Sequence, residues 1–245
     1  NQDYLYLDHA ASTPMRKSAM DKYIEAESFG YANSSGGHKL SRNSKNLLED
    51  SREKIAELLN AAQGEIVFTS GGTEADNWTI KSLFNSKRPD DNLVTSNIEH
   101  EAVIASAEWV SSNGYQTKYA KSDKNGLVTK DEFLDQVDND TKVASLMWGN
   151  NETGIIQPIN DIAREIKTIN SSTLFHSDVV QGIISDNIDF HRNGIESAAI
   201  SAHKIGGPKG VGAMFIHNKY KLPSFFHGGK PVSYTHLRAH ETATY

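Results

Sequence analysis

The chain has 245 residues, 31 acidic against 25 basic, a formal net charge of -6 and no cysteine. That balance leaves no cationic excess to neutralise phosphates, which argues against a nucleic-acid-coating protein, and the missing thiols exclude disulfides, thiolate metal sites and a cysteine nucleophile among these residues. With 37% hydrophobic residues a sizeable core is expected, and no apolar run approaches the roughly 18 residues of a membrane span. In chain order, Ser41–Leu59 carries Leu47, Leu48, Ile55, Leu58 and Leu59, a grouping that predicts one apolar helix face. Ile66–Thr69 is short and β-branched and predicts a strand, followed by a helix over Thr73–Phe84. Leu93–Thr95 and Glu101–Ser112 repeat that strand–helix pair. Val143–Met147 predicts a strand, and Asp161–Ile169 a helix with Ile162, Ile166 and Ile169 in one stripe. Leu174–His176, Ala198–Ile200 and Val211–Ile216 predict three more strands. Alternation of this kind predicts an α/β fold with a mainly parallel sheet, whose ligands gather at the carboxyl ends of the strands.

Several chemistry-bearing residues fall at those ends. Ser70-Gly71-Gly72-Thr73 joins a strand to a helix. Glycines allow close backbone approach and a helix N-terminus offers N–H groups to an anion. The segment is either a phosphate cradle, with Gly72 and Thr73 as donors, or a plain turn with Thr73 as a cap. It is neither a P-loop nor a GxGxxG motif. Ser201-Ala202-His203-Lys204 follows the strand at Ala198–Ile200 and precedes a Gly-Gly-Pro turn. A lysine there is placed to reach into a cleft and react with an aldehyde. Ser201 and His203 are candidate phosphate donors, and Lys209 is the competing lysine. Asp178, just past Leu174–His176, is either a helix cap or the carboxylate that keeps a ring nitrogen protonated. Gln181 lies three residues on. Asn151, in Asn150–Gly154, is a turn residue or a donor to a phenolic oxygen. His100 is a helix-entry residue, a stacking ring or a proton carrier. No metal is expected, because the ten histidines show no HExxH spacing.

Taken together and in this order, these segments resemble the cysteine desulfurase (NifS/IscS-like) branch of the class V aminotransferases. The resemblance rests on Tyr4–Pro14, Glu65–Glu74, Glu99-His100, Asn150–Gly154, His176–Gln181, Ser201–Lys204 and His227-Gly228-Gly229. It implies the large domain of a fold-type I enzyme, an α/β/α sandwich, over residues 15–231. Residues 1–14 are expected to belong to a smaller domain. It also implies pyridoxal 5'-phosphate (PLP) as cofactor: Lys204 carries it, Asp178 pairs with its ring nitrogen, Gln181 and Asn151 lie near its phenolic oxygen, and His100 stacks on it. Gly72, Thr73, Ser201 and His203 hold its phosphate. Lys204 and His100 are the implied catalytic residues. Ala202 stands where the family commonly has glycine.

The implied substrate is L-cysteine, with a homodimer, a sulfur-acceptor protein such as an iron–sulfur scaffold, and a cytoplasmic setting. Neither nucleic acid nor membrane is an expected partner. A selenocysteine lyase or another class V enzyme is the alternative; a non-enzymatic scaffold would have no need to keep Lys204, Asp178 and His100 together. The family's sulfur-accepting cysteine has no counterpart here. Residues 232–245 lack any period, and Val232–Thr242 looks like a translated sequencing adapter, so the chain is expected to be an N-terminal portion of an enzyme followed by a non-native tail.

Overall fold

The computed structural model describes residues 5–85, 88–183 and 188–226. The helices are α1 (Lys17–Phe29), α2 (Lys39–Leu58), α3 (Gly72–Ser82), α4 (Glu101–Ser112), α5 (Lys130–Leu134), α6 (Ile159–Ile169) and α7 (Phe190–Asn193). The strands are β1 (Ile66–Thr69), β2 (Asn92–Ser96), β3 (Gln116–Ala120), β4 (Thr141–Ser145), β5 (Leu174–Asp178), β6 (Ser197–Ser201) and β7 (Gly212–Ile216). They form one seven-stranded sheet in the order β1-β7-β6-β5-β4-β2-β3. β7 runs antiparallel to both of its neighbours. The pairings from β6 to β3 are parallel.

Strand periodicity explains the layers. Val67, Leu93, Val143, Leu174, Ala199 and Met214 enter one apolar layer with Ala75 and Trp78 of α3 and Val103, Ala107 and Val110 of α4. Their sequence neighbours Ile66, Val94, Ala144, Phe175, Ala198 and Phe215 enter the opposite layer, with Phe133 of α5, Ile159, Ile162 and Ile166 of α6, and Phe190 of α7. Successive strand side chains point to opposite faces, so the inner strands are buried on both sides, whereas the edge strand β3 is largely exposed or half-buried. The α/β/α sandwich expected from sequence is therefore present.

Differences from expectation have physical reasons. The apolar run Val143–Met147 extends past β4, because Leu146 and Met147 are buried beyond the last ladder pair, Ser145 with His176. In α2, Leu58 is 82% exposed while Leu59 is buried; the face that α2 buries holds Ser41, Ser44, Arg52 and Ala56. Among the described residues no helix is long and apolar enough to cross a membrane. Residues 232–245 and His227-Gly228-Gly229 lie outside the described residues.

Candidate active site

The order of the parallel strands turns back at β2 and β4: β3 lies outward from β2 on one side, and β5 and β6 follow β4 on the other. Such a reversal opens a crevice at the carboxyl edge of a sheet. His100 follows β2, Asn151 follows β4, Asp178 ends β5 and Ser201 ends β6. β1 shares that edge because two antiparallel pairings restore its direction: Thr69 pairs with Gly212, and Gly212 with Ser201. The β1–α3 turn thus sits beside Ser201. A pocket of about 460 Å³ opens here. Gly72, Thr73, His100, Asn151, Asp178, Gln181, Ser201, His203 and Lys204 all line it, together with Asp8, Ala10 and Asp76.

The turn is built by glycine. Gly71, at φ 152° and ψ -176°, is the N-cap of α3 and supplies no side-chain cap, so Thr73 is a residue of the first helical turn and not the cap. Glu74 braces the turn by accepting the Ser70 backbone N–H at 2.8 Å and its hydroxyl at 2.6 Å. The early N–H groups of a helix lack intrahelical partners, and those of α3 lie on the pocket wall. Beside the turn, Ser201 Oγ and His203 Nδ1 share a hydrogen bond of 2.8 Å. Burial, then the charges of Lys204 and Lys209, push His203 down from its ordinary value, which keeps a neutral imidazole available for hydrogen bonding.

Lys204 sits on the 3-10 turn Ala202–Lys204 and donates to the Ala10 carbonyl. Gln181 Nε2 donates to the same carbonyl at 2.8 Å. Burial lowers the Lys204 pKa from 10.5, against the opposing pull of Asp178 and Asp8. A larger neutral fraction makes the amine a better nucleophile and base. Lys209 is exposed and does not line the pocket. The Lys204 turn is fastened from the N-terminal side: the Thr13 N–H and hydroxyl each donate to the His203 carbonyl at 2.8 Å. Ala202 is accommodated because Gly207 faces it; a Cβ at Gly207 would lie 2.8 Å from that of Ala202.

The floor is acidic. Asp178 accepts the Val180 N–H at 2.9 Å, and burial, then the charge of Asp76, raises its pKa from 3.8 to about 7. Asp76, on α3, pairs one oxygen with His176 Nε2 at 3.0 Å. Its other oxygen is buried and has no hydrogen-bond partner among the described residues. Behind them, Glu99 accepts from the Ser96 hydroxyl and the Met147 N–H, and burial raises it from 4.5 to about 8. Sequence reasoning assigned no role to Asp76. The signal was present, since Asp76 lies one helical turn after Gly72 and so projects over the same edge.

His100 and the asparagines prove to be both structural and site residues. His100 caps α4, its Nδ1 accepting the Ala102 N–H at 3.1 Å, and its ring also lines the pocket. Asn150 builds the turn: its Oδ1 accepts from Glu152 N, Thr153 N and Thr153 Oγ1, and its Nδ2 donates to the Ile98 carbonyl. That leaves Asn151 facing the pocket.

The sequence model of the family described as aminotransferase class-V matches residues 5–244. The chain belongs to the class V aminotransferases. Within the family it is 37% identical, over 92% of its length, to "Cysteine desulfurase IscS" of Methanosarcina thermophila, of which it covers 55%. It is 35% identical over 92% of its length to "Putative cysteine desulfurase IscS 1" of Bacillus subtilis, of which it covers 59%. Among solved structures it resembles a "NIFS-LIKE PROTEIN" with TM-score 0.89 and 35% identity, across 92% of this chain and 62% of that one. A structure titled "SspA in complex with cysteine" matches with TM-score 0.87 and 32% identity, across 92% of this chain and 65% of that one. These likenesses give this class V chain the α/β fold of the fold-type I transferases. It spans little more than half the length of the curated relatives it matches.

Proposed function

We propose that the chain is the cofactor-binding portion of a PLP-dependent cysteine desulfurase that takes L-cysteine to L-alanine. The observation that carries the proposal is the convergence of Lys204, Asp178 and His100 on one pocket whose rim offers neutral anion donors. The donor set fits PLP. Gly72, Thr73, Ser201 and His203 suit its phosphate. Asp178 and the unpartnered oxygen of Asp76 suit the cationic form of its ring, and Lys204 suits its aldehyde. When bound, the cofactor supplies an electron sink for a carbanion next to the substrate nitrogen.

The chain's own residues then divide the remaining work. Asp178 keeps the proton on the ring nitrogen, because a nearby cation stabilises its carboxylate and the carboxylate in turn stabilises that cation. Lys204 Nζ, which would hold the cofactor aldehyde, would also serve as the base toward the α-proton of the substrate; its lowered pKa favours the neutral amine. His100, fixed at Nδ1 by the Ala102 N–H, presents its other nitrogen for proton movement. Asn151 and Gln181 offer amide donors to the ring oxygen.

Sulfur leaves the substrate by attack of a cysteine thiolate on the substrate sulfur: the S–S bond of a persulfide forms as the Cβ–S bond breaks, and the electron pair left on Cβ takes up a proton to give the methyl group of alanine. This chain has no cysteine, so that thiolate is supplied from outside these residues. The proposal includes a homodimer, a sulfur acceptor such as an iron–sulfur scaffold, and a cytoplasmic setting. To test the site, purified chain is mixed with PLP, the near-visible band of lysine-bound cofactor is recorded, and the adduct is fixed with borohydride for peptide mapping. The label is expected on the peptide containing Lys204 and is lost in Lys204→Ala. A label on Lys209, or a band that survives Lys204→Ala, overturns the assignment.

A further inference from the structure

On the far side of the sheet's β1–β7 edge lies a cluster with no role in the pocket just described. Glu65 ends the 3-10 turn Gln63–Glu65 and its side chain is almost wholly buried. His191 comes from α7, and His217 follows β7 directly. His191 Nε2 lies 2.8 Å from Glu65 Oε2. His217 Nδ1 lies 3.8 Å from Glu65 Oε1. The two rings are 5.0 Å apart and nearly perpendicular, at 78°. One ligand atom from each residue falls within 4.8 Å of the others.

We propose that Glu65, His191 and His217 form a binding site for a divalent first-row transition metal such as zinc, with one coordination position open to solvent. Two imidazoles and a carboxylate are borderline ligands of the kind such ions prefer. Bonds of about 2.0–2.2 Å place neighbouring ligand atoms roughly 3–3.5 Å apart. The separations of 2.8 and 3.8 Å bracket that range, so small side-chain shifts close the site.

Hydrogen bonding points the same way. The Lys219 backbone N–H donates to His217 Nδ1 at 3.2 Å, so this nitrogen carries a lone pair and no proton. Glu65 Oε1 already accepts the Asn218 N–H at 2.9 Å. Nδ1 and Oε1 are thus both acceptors, 3.8 Å apart with no hydrogen between them, and on coordination the Nδ1 lone pair exchanges the Lys219 N–H for the ion. On coordination, the proton of His191 Nε2 moves to Nδ1.

The imidazoles are partly open, 37% and 27% exposed, to a cleft of about 330 Å³ that would hold the fourth ligand. Lys167 and Lys219 also line the cleft, but both pair with Glu196, which offsets their repulsion of a cation. Sequence spacing gave no hint of the site, because His191 lies 126 positions from Glu65 in the chain and His217 lies further on still.

The test uses the full chain without a polyhistidine tag, stripped with chelator. It is titrated with Zn²⁺ by calorimetry and with Co²⁺ by visible absorption, which reports nitrogen ligation and geometry. One ion per chain is expected, with a melting temperature that rises with Zn²⁺ concentration. His191→Ala and His217→Ala should each weaken binding by at least ~100-fold, since even loss of an outer-shell partner costs ~10–100-fold. Both side chains are partly exposed, and circular dichroism checks that the variants fold. Absence of uptake, or uptake unchanged in both variants, overturns the proposal, as does a Co²⁺ spectrum of the aquo ion. No readout involves PLP, so failure here leaves the proposed function untouched.

Discussion

Gly212 is the point where sheet register and site geometry meet. It pairs with Thr69 on one side and Ser201 on the other. A Cβ there would stand 2.5 Å from the Ile200 carbonyl oxygen, 2.6 Å from Gly71 Cα and 2.9 Å from Gly71 N. All three are backbone atoms, so no rotamer change relieves the contact. Gly212→Ala must push β7 off β6 or displace the Gly71 turn. Overpacking of this kind costs about 1–3 kcal/mol, and three backbone contacts put it at the upper end. The stiffer unfolded chain returns ~0.4–1 kcal/mol, which leaves a net loss of roughly 2 kcal/mol. For a chain of this size that lowers the melting temperature by about 4–8 °C. Because the displaced turn forms the anion wall, PLP affinity should fall as well. Gly64→Ala is the control, since nothing lies within 4 Å of its Cβ position. Urea unfolding and PLP titration of both variants measure the two effects. If Gly212→Ala matches Gly64→Ala in both, the close approach of β7 to the turn does not hold the site.

Other consequences follow from burial and hydrogen bonding. Asp178 and Glu99 are raised to about 7 and about 8, each chiefly by burial. Their protonated forms favour the folded state, so this stability is full below about pH 4 and is lost as pH rises through 7–8. At ~1.4 kcal/mol per unit, the Asp178 shift alone is on the order of 4 kcal/mol. The chain without cofactor should therefore unfold at lower urea at pH 8.5 than at pH 6, and Asp178→Asn should flatten that slope; a flat wild-type profile would sink the argument. Phe175→Ala, at a fully buried position, should cost about 3–5 kcal/mol in chemical denaturation. Asn150→Ala removes the part-buried acceptor of the Glu152 and Thr153 N–H groups and the donor to the Ile98 carbonyl and should cost about 1–3 kcal/mol, whereas Asn151→Ala should stay within ~0.5 kcal/mol and instead weaken PLP binding. Equal destabilisation by the two asparagine variants would contradict their division of labour.

Legibility in the sequence tracked burial. β1, β2, β5, β6 and β7 are buried on both faces and appeared as apolar runs, and α4 was read to its observed limits. β3 was missed because Gln116–Ala120 is an edge strand with an exposed or half-buried polar surface, so it carries neither a run nor a clean alternation. α1 buries no residue, which removes the periodic signal, and α5 and α7 are too short to show one. For the pocket, side chains at strand ends were legible because their position follows from alternation. Asp76 was not, as its role depends on which way α3 faces. The Ala10 carbonyl was invisible for another reason: a backbone acceptor leaves no mark in residue type, and its contact with Lys204 spans 194 positions.

The distribution of charge in the pocket restricts what it can hold. Asp178 and Asp76 form its floor, with Glu99 buried behind them. Glu99 and Asp76 each retain an oxygen with no hydrogen-bond partner. The α3 N-terminus, Ser201 and His203 lie together across the β1–β7–β6 ladder and offer donors without a fixed negative charge. A nucleoside polyphosphate would satisfy the donors but bring further negative charge against Asp178 and Asp76, a repulsion that a buried site screens poorly. A compact ligand that is anionic at one end and protonated at the other satisfies both. Lys204 lines the same pocket, hydrogen-bonded to the Ala10 carbonyl and with its basicity reduced by burial. The amine is thereby available to an electrophile carried by such a ligand beside its anionic arm and away from its protonated nitrogen, which is where the aldehyde of a phosphorylated pyridine would sit.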